Sequence, residues 1–495
     1  MVLFVVGIVF IVLWIIFYPP IYAIHDEAGY MGQSYVMRSG TIFGDVAGIP
    51  VVSSIETPTG HLVTKYAPGT SFLLIPFIFF GWKTIFLLPL LLHLLGFFIF
   101  LKILRFYNIS PYFALLYLLY PASVLYSRTI MADLPSAVFF LIACYFFLKG
   151  GKSYLLSGFF LGIIPLFRYS NIILAIPFFL CLIIEFFKSR RKGFFFHSSF
   201  IKFLIGFLPG LFILLFYNKI ATGGILTTSY GMKGYFSLKF FPQNLFFYTI
   251  SLSLIYPLMF FTIFFLRRKP LFFLSTTLLF FVFYCCFYYV TIAPGKGMLK
   301  TQIVGMRFLL PIIPIFILSY ADAIERIKKK IPKPSTFFFW SIVGIFSILN
   351  IGMVYKHQGF LKEQERYKNT IYANTDEHSL ILTNYDGMEF FQPVWGKRQI
   401  AMFVYWQNRI PIDFSKYDFN KLYLLTVIRS DKEGNEYVKK YGDEIIKEYR
   451  GETVAEIKGD PELRLWKLHY ESANDSVSEK RSIGEAEKEI QKREE

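Results

Sequence analysis

Apolar stretches of about twenty residues recur along the first two thirds of this chain, separated by short loops that carry Lys and Arg. A helix of that length crosses the hydrocarbon core of a bilayer, about 30 Å thick. An ordinary soluble fold does not carry 55% hydrophobic residues and 60 Phe. We place spans near residues 3–24, 84–104, 111–126, 131–149, 153–167, 170–187, 200–221, 246–266, 271–291, 307–321 and 335–356. The first, from Val2 to Ile24, has no basic leading region and no small-residue cleavage site, so it reads as a retained helix. Ser71 to Phe80 is apolar but too short to span, and reads as a re-entrant or interfacial helix broken at Pro76.

A formal net charge of +17 by itself fits a nucleic-acid binder. The positions of the charges point elsewhere. Lys102 and Arg105; Lys149 and Lys152; Lys188, Arg190, Arg191 and Lys192; Arg267, Arg268 and Lys269; and Arg326, Lys328, Lys329, Lys330 and Lys333 fall on alternate loops. Cytoplasmic loops of membrane proteins show this bias, and no interleaved basic patch is left for a polyanion. The pattern predicts a multi-pass protein of the cell or plasma membrane with a cytoplasmic N-terminus; its first partner is the lipid bilayer, not nucleic acid. Residues 25–83, 222–245 and everything after about His357 then face outward.

Beyond His357 the apolar runs shorten to strand length, at Leu380 to Thr383, Leu422 to Ile428 and Leu463 to Leu468. A helical stretch from Glu433 to Tyr449 lies between the last two. The expected architecture is an all-α polytopic membrane bundle of about eleven transmembrane helices over residues 1–356, with an outer loop at 25–83. A small soluble α/β domain over 357–470 follows outside the cytoplasm. The charged tail at 471–495 reads as disordered or as a frayed helix.

Candidate chemistry gathers on the outer side. His25-Asp26-Glu27 opens the first outer loop directly after a span. A charged pair there often serves as an interfacial anchor; the functional alternative makes a carboxylate the general base for an acceptor hydroxyl. Lys65, Arg128, Arg168, Lys296, Lys300 and Arg307 are basic residues on the face where the topology rule disfavours them. Single ones snorkel readily, whereas several converging would hold a phosphate headgroup and stabilise its charge as it leaves. His61, His93 and His357 show no metal-ligand spacing, although Asp26 or Glu27 could join one of them around a divalent ion. All four Cys lie in apolar stretches, which gives no disulfide framework. The absence of a Walker loop argues against an ATP-driven pump.

Several blocks, in order, resemble the GT-C glycosyltransferases, in the branch of the protein O-mannosyltransferases and the lipid A aminoarabinose transferase. HDEAGYMGQSYVMRSG at 25–40 resembles the family's first-loop Asp-Glu segment. TKYAPGTSFLLIPF at 64–77 resembles its second juxtamembrane motif, with Ala67-Pro68 where Pro-Pro is usual. LYSRTIMADLPSAVFFLIACYFF at 125–147 resembles the short outer loop with Asp-x-Pro at the start of a span. FRYSNIILAIP at 167–177, YNKIATGGILTTSYG at 217–231 and RFLLPIIP at 307–314 continue the series, which covers roughly residues 1–355.

The resemblance implies an inverting hexosyl- or pentosyltransferase that moves a sugar from a polyprenyl-phosphate carrier to a hydroxyl on protein, lipid or glycan, at the outer membrane face. It implies Asp26 as the base, with Glu27 as its partner or a metal ligand. Lys65, Arg168, Lys296 and Arg307 would hold the carrier phosphate, and Tyr66, Arg128 and Asp133 are further site candidates. A transporter or flippase of lipid-linked sugars is the alternative. It needs ionisable residues deep within its spans, and acidic residues are nearly missing there.

Overall fold

Although Phe195–Thr222 runs through Pro209, proline marks several of the places where the apolar stretches of this chain stop being straight helices. It lacks the N–H that the helix ladder needs, and its ring clashes with the preceding turn. The structure is a computed structural model that describes residues 1–47, 52–189, 195–228, 235–267, 269–288, 303–390, 398–405, 407–430 and 434–470. Lys296, Lys300 and the tail at 471–495 lie outside the described residues. The chain divides into two compact units, Met1–Lys362 and Glu363–Glu495.

In the first unit, the helix Val2–Ile16 stops ahead of Pro19-Pro20, short of the expected Ile24. The expected span at 111–126 is two short helices, Ala114–Leu118 and Pro121–Tyr126, divided at Pro121. Those at 246–266 and 307–321 are bent pairs: Leu238–Ile255 with Met259–Phe265 at 94°, and Ile303–Leu309 with Ile313–Lys330 at 97°. Pro257 and Pro311 sit at the two breaks. Pro76 behaves differently from expectation. The helix Gly69–Ile78 runs through it, because a proline in the last turn removes only one ladder bond. By length and composition, three described helices can cross a membrane: Trp82–Phe106, Ser199–Thr222 and Pro332–Ala373. The number is five if each bent pair is one span, where eleven were expected.

The exterior of these helices is apolar. Phe212, Phe216, Phe337 and Ile348 are 61–76% exposed. Such a surface is a liability in water and the matching one in lipid, as an integral membrane protein requires. Inside, small residues allow close approach. A Cβ at Gly158 or Gly162 would lie 2.0 or 2.2 Å from the carbonyls of Phe203 or Phe207, so Tyr154–Gly162 meets Phe195–Thr222 backbone to backbone.

The last helix, Pro332–Ala373, continues unbroken through His357, where the sequence led us to expect a change of character. In the second unit a mixed sheet follows, in the order β5-β4-β3-β6-β8-β7. Its strands are β3 (Ser379–Asn384), β4 (Gln399–Tyr405), β5 (Asn408–Arg409), β6 (Lys421–Ile428), β7 (Glu452–Ile457) and β8 (Glu462–Leu468). The pairs β3–β4 and β3–β6 are parallel, and the other neighbours are antiparallel. Alternation of side chains gives the sheet two apolar faces. Ile381, Tyr423 and Leu425 pack with Tyr367 and Ile371, while Leu380, Leu422 and Leu424 pack with Val438 and Ile445 of the helix Asn435–Glu448. This is a small α/β unit, with β3, β6, β8 and the helix where the sequence predicts them and β4, β5 and β7 beyond that reading.

Candidate functional site

Asp26 and Glu27 occupy the first turn of the helix His25–Arg38, where unpaired N–H groups favour carboxylates. Neighbours on a helix point about 100° apart, and here that separates their environments. Glu27 is 2% exposed. One carboxylate oxygen accepts the N–H of Ala23 at 2.9 Å, and the other accepts the N–H of Ile130 at 2.9 Å. It thereby ties the start of its helix to the turn after Arg128.

Asp26 instead lies partly open, its side chain 33% exposed. The Tyr66 hydroxyl donates to Oδ1 at 2.7 Å, and Nη1 of Arg307 stands 3.8 Å from Oδ2. The Lys65 ammonium lies 5.4 Å from the centre of the Tyr66 ring. A short hairpin, β1 (Ser54–Glu56) with β2 (Leu62–Thr64), delivers Lys65 and Tyr66 to this place. Gln33 fastens the hairpin to the helix His25–Arg38, accepting the Thr64 N–H at 3.1 Å while donating to the Ile42 carbonyl at 3.0 Å. Asp45 holds its far side, accepting from the Leu62 N–H and pairing with His61 Nδ1, each at 2.7 Å. Burial works against the Asp45 charge, but the bonds from His61 and the backbone outweigh it and lower the carboxyl pKa. Gly29 completes the fit: a Cβ there would stand 2.5 Å from the Tyr66 ring.

Arg307 comes from the turn Met306–Leu309, just before the break at Pro311. Its guanidinium carbon lies 4.7 Å from the centre of the Phe308 ring, and that of Arg168 lies 4.4 Å from the same ring. Two cations thus share one aromatic side chain, an arrangement that holds guanidinium planes without neutralising them. Arg168 sits on extended backbone between two short helical turns. It pairs with Asp133 in the first turn of Asp133–Lys149, and its Nε donates to the Tyr284 hydroxyl at 3.1 Å. Asn171 accepts from that hydroxyl at 2.9 Å and donates to Ser136 at 2.6 Å.

The structure therefore brings together Asp26, Lys65, Tyr66, Arg307, Arg168 and Asp133 through a continuous series of contacts. Glu27 and Arg128 form a different cluster. Arg128 is 1% exposed and donates to the Phe17 carbonyl, to Gln358 Oε1 at 2.6 Å and to His357 Nδ1 at 3.4 Å. Among the described residues, no group of three or more His, Cys, Asp or Glu is placed to hold a metal ion. Both Glu27 oxygens already accept backbone N–H groups, which sets it poorly for metal ligation. Gly29, Tyr284 and Phe308 were not singled out in the sequence; a glycine inside a helical pattern was the one signal on offer, at Gly29.

No protein-family model matches the chain, and no curated protein matches it in sequence. Solved structures do. The crystal structure of ArnT from Cupriavidus metallidurans in the apo state superposes with a TM-score of 0.59 at 12% identity, covering 94% of this chain and 97% of that one. The same protein bound to undecaprenyl phosphate gives a TM-score of 0.58 at 12% identity, with the same coverage. This chain has the fold of ArnT over nearly its whole length, the resemblance that its sequence motifs carry.

Proposed function

We propose that this protein is an inverting glycosyltransferase that moves a sugar from a polyprenyl-phosphate carrier to an acceptor hydroxyl at the outer membrane face. The observation that carries the reading is the half-open Asp26 between the Tyr66 hydroxyl and Arg307, on a fold shared with a structure that holds undecaprenyl phosphate. Asp26 removes the proton from the acceptor hydroxyl, whose oxygen attacks the anomeric carbon. The carbon–oxygen bond to phosphate breaks on the opposite side, so configuration inverts, and the electron pair leaves with the phosphate.

Arg307 and Lys65 meet that growing negative charge, which a partly dehydrated site makes more valuable to neutralise than in water. The Arg307 guanidinium stands 3.8 Å from Asp26, beyond direct hydrogen-bond length, so an arriving phosphate competes with that carboxylate for it. Release of Arg307 to the phosphate leaves Asp26 with the Tyr66 hydroxyl. Arg168, already paired with Asp133, contributes its field and steadies Phe308.

The test follows a labelled sugar from a synthetic polyprenyl-phosphate donor to hydroxyl acceptors, with the protein in nanodiscs, and reads the anomeric configuration of the product. Transfer with inversion is expected. Retained configuration, or movement of the intact donor across the bilayer without transfer, would overturn the reading.

A further inference from the structure

The second unit contains a feature that the transfer reaction does not use. Strands β4, β3 and β6 run parallel; from β3 the chain goes to β4 and β5 on one side, then crosses back to β6 on the other. Where strand order reverses in an open α/β sheet, the connections diverge and leave a crevice beyond the carboxyl ends of the strands. Here the register brings Asn384 of β3 opposite Val404 of β4, while its carboxamide bonds to both backbone groups of Val427 on β6, at 2.8 and 3.0 Å. The next residues on each strand therefore emerge together: Tyr385 and Asp386 after β3, Tyr405 at the end of β4, and Arg429 after β6.

Their chemistry is specific. The Tyr385 and Tyr405 rings meet edge to face, 5.7 Å between centres, and remain 37% and 43% exposed. Arg429 Nε stands 3.6 Å from Asp386 Oδ1, with side chains 22% and 11% exposed. The turn that carries Tyr385 and Asp386 is pressed onto its strand, since a Cβ at Gly387 would fall 1.9 Å from Thr383 Oγ1. A rigid turn thus holds an aromatic corner next to a carboxylate and a guanidinium.

We propose that this edge is a carbohydrate-binding site, in which the tyrosine corner packs on the C–H face of a sugar ring and Asp386 with Arg429 binds its hydroxyls. A sugar offers an apolar face ringed by groups that both donate and accept, and this edge supplies the complement. Asp386 and Arg429 carry opposite charges, a pairing suited to the hydroxyls of a neutral saccharide. Asp386 repels a phosphate, and the segment Thr383-Asn384-Tyr385-Asp386-Gly387 lacks the glycine-rich turn that dinucleotides need. The inference goes beyond the transferase reading and does not depend on it.

The full-length protein in nanodiscs is applied to an array of neutral and phosphorylated oligosaccharides, and a retained neutral one is then titrated by calorimetry. The double variant Tyr385→Ala/Tyr405→Ala should bind it about tenfold or more weakly, from the loss of two ring contacts. Arg429→Lys should weaken it as well, and Arg307→Ala, in the other unit, should leave it unchanged. Thermal melts of the second-unit variants matching wild type exclude misfolding; the exposed tyrosines keep the test valid if Arg429→Lys lowers stability. Retention of no neutral saccharide, equal binding by the double variant, or loss with Arg307→Ala would overturn the site. So would a preference for phosphorylated sugars that Asp386→Asn strengthens.

Discussion

Asp26 and Glu27 are adjacent in sequence, yet the regions they enter work by opposite rules. The Glu27 region, with Arg128, is buried and saturated: backbone N–H groups and carbonyls from remote segments end on charged side chains. Buried polar groups of this kind fix geometry, because leaving any one unpaired costs more than its bond contributes. The Asp26 region is partly open and loosely paired, with one hydroxyl bond and one guanidinium at 3.8 Å. Loose pairing leaves a carboxylate and a cation able to exchange partners. A proton-accepting, phosphate-binding site needs that freedom, and a structural clamp must not have it.

The comparison breaks most sharply at Asp26. Asp26→Asn preserves shape and removes the base, so turnover should fall by about 10²–10⁴-fold while donor binding changes little. Transfer kinetics with a labelled donor check this, and near wild-type turnover would end the base assignment. Glu27→Ala should act on stability. It strands the N–H groups of Ala23 and Ile130, at about 1–3 kcal/mol for each, and a lower melting temperature in detergent is the readout. A stable variant that has lost only catalysis would merge the two regions and contradict the contrast drawn here.

Arg307→Ala comes next. Removing a charged contact of about 1.5–3 kcal/mol should weaken polyprenyl-phosphate binding by about ten- to a hundredfold, with an unchanged melting temperature. Unaltered donor affinity would exclude Arg307 from phosphate recognition. The smallest effect belongs to Tyr66→Phe. It deletes one hydroxyl bond to Asp26, about 0.5–1.5 kcal/mol, so turnover in the same transfer assay should fall by only a few-fold. Turnover identical to wild type would place Tyr66 outside the proton transfer.

Much of this is legible in the residues themselves. Expected outer placement and short motifs mark Asp26, Lys65, Arg168 and Arg307, and the structure links all four in a series that runs through Tyr66 and Phe308. The same reasoning ranks Arg128 beside them, because a basic residue in a short turn looks alike whether it meets substrate or the Phe17 carbonyl. Phe308 and Tyr284 escape notice for a different reason. Where a fifth of the residues are aromatic, no pattern distinguishes a ring that steadies two guanidinium groups from one that faces lipid.

Apolar length, charge alternation and strand-length runs are local properties, so the sequence by itself determined a helical membrane unit followed by a small sheet unit. Local signals also located β3, β6 and β8 within a residue or two, since side-chain alternation and turn chemistry act over short range, whereas β4, β5 and β7 lie beyond that reading. Tertiary structure decided the rest: which prolines bend a span and which are absorbed, how far the helix Pro332–Ala373 continues, and which charges meet. Asp26 and Arg307 become partners only when remote segments pack. Asp26 and Glu27 part company only because consecutive helical side chains point about 100° apart, one toward the open site and one into a saturated interior.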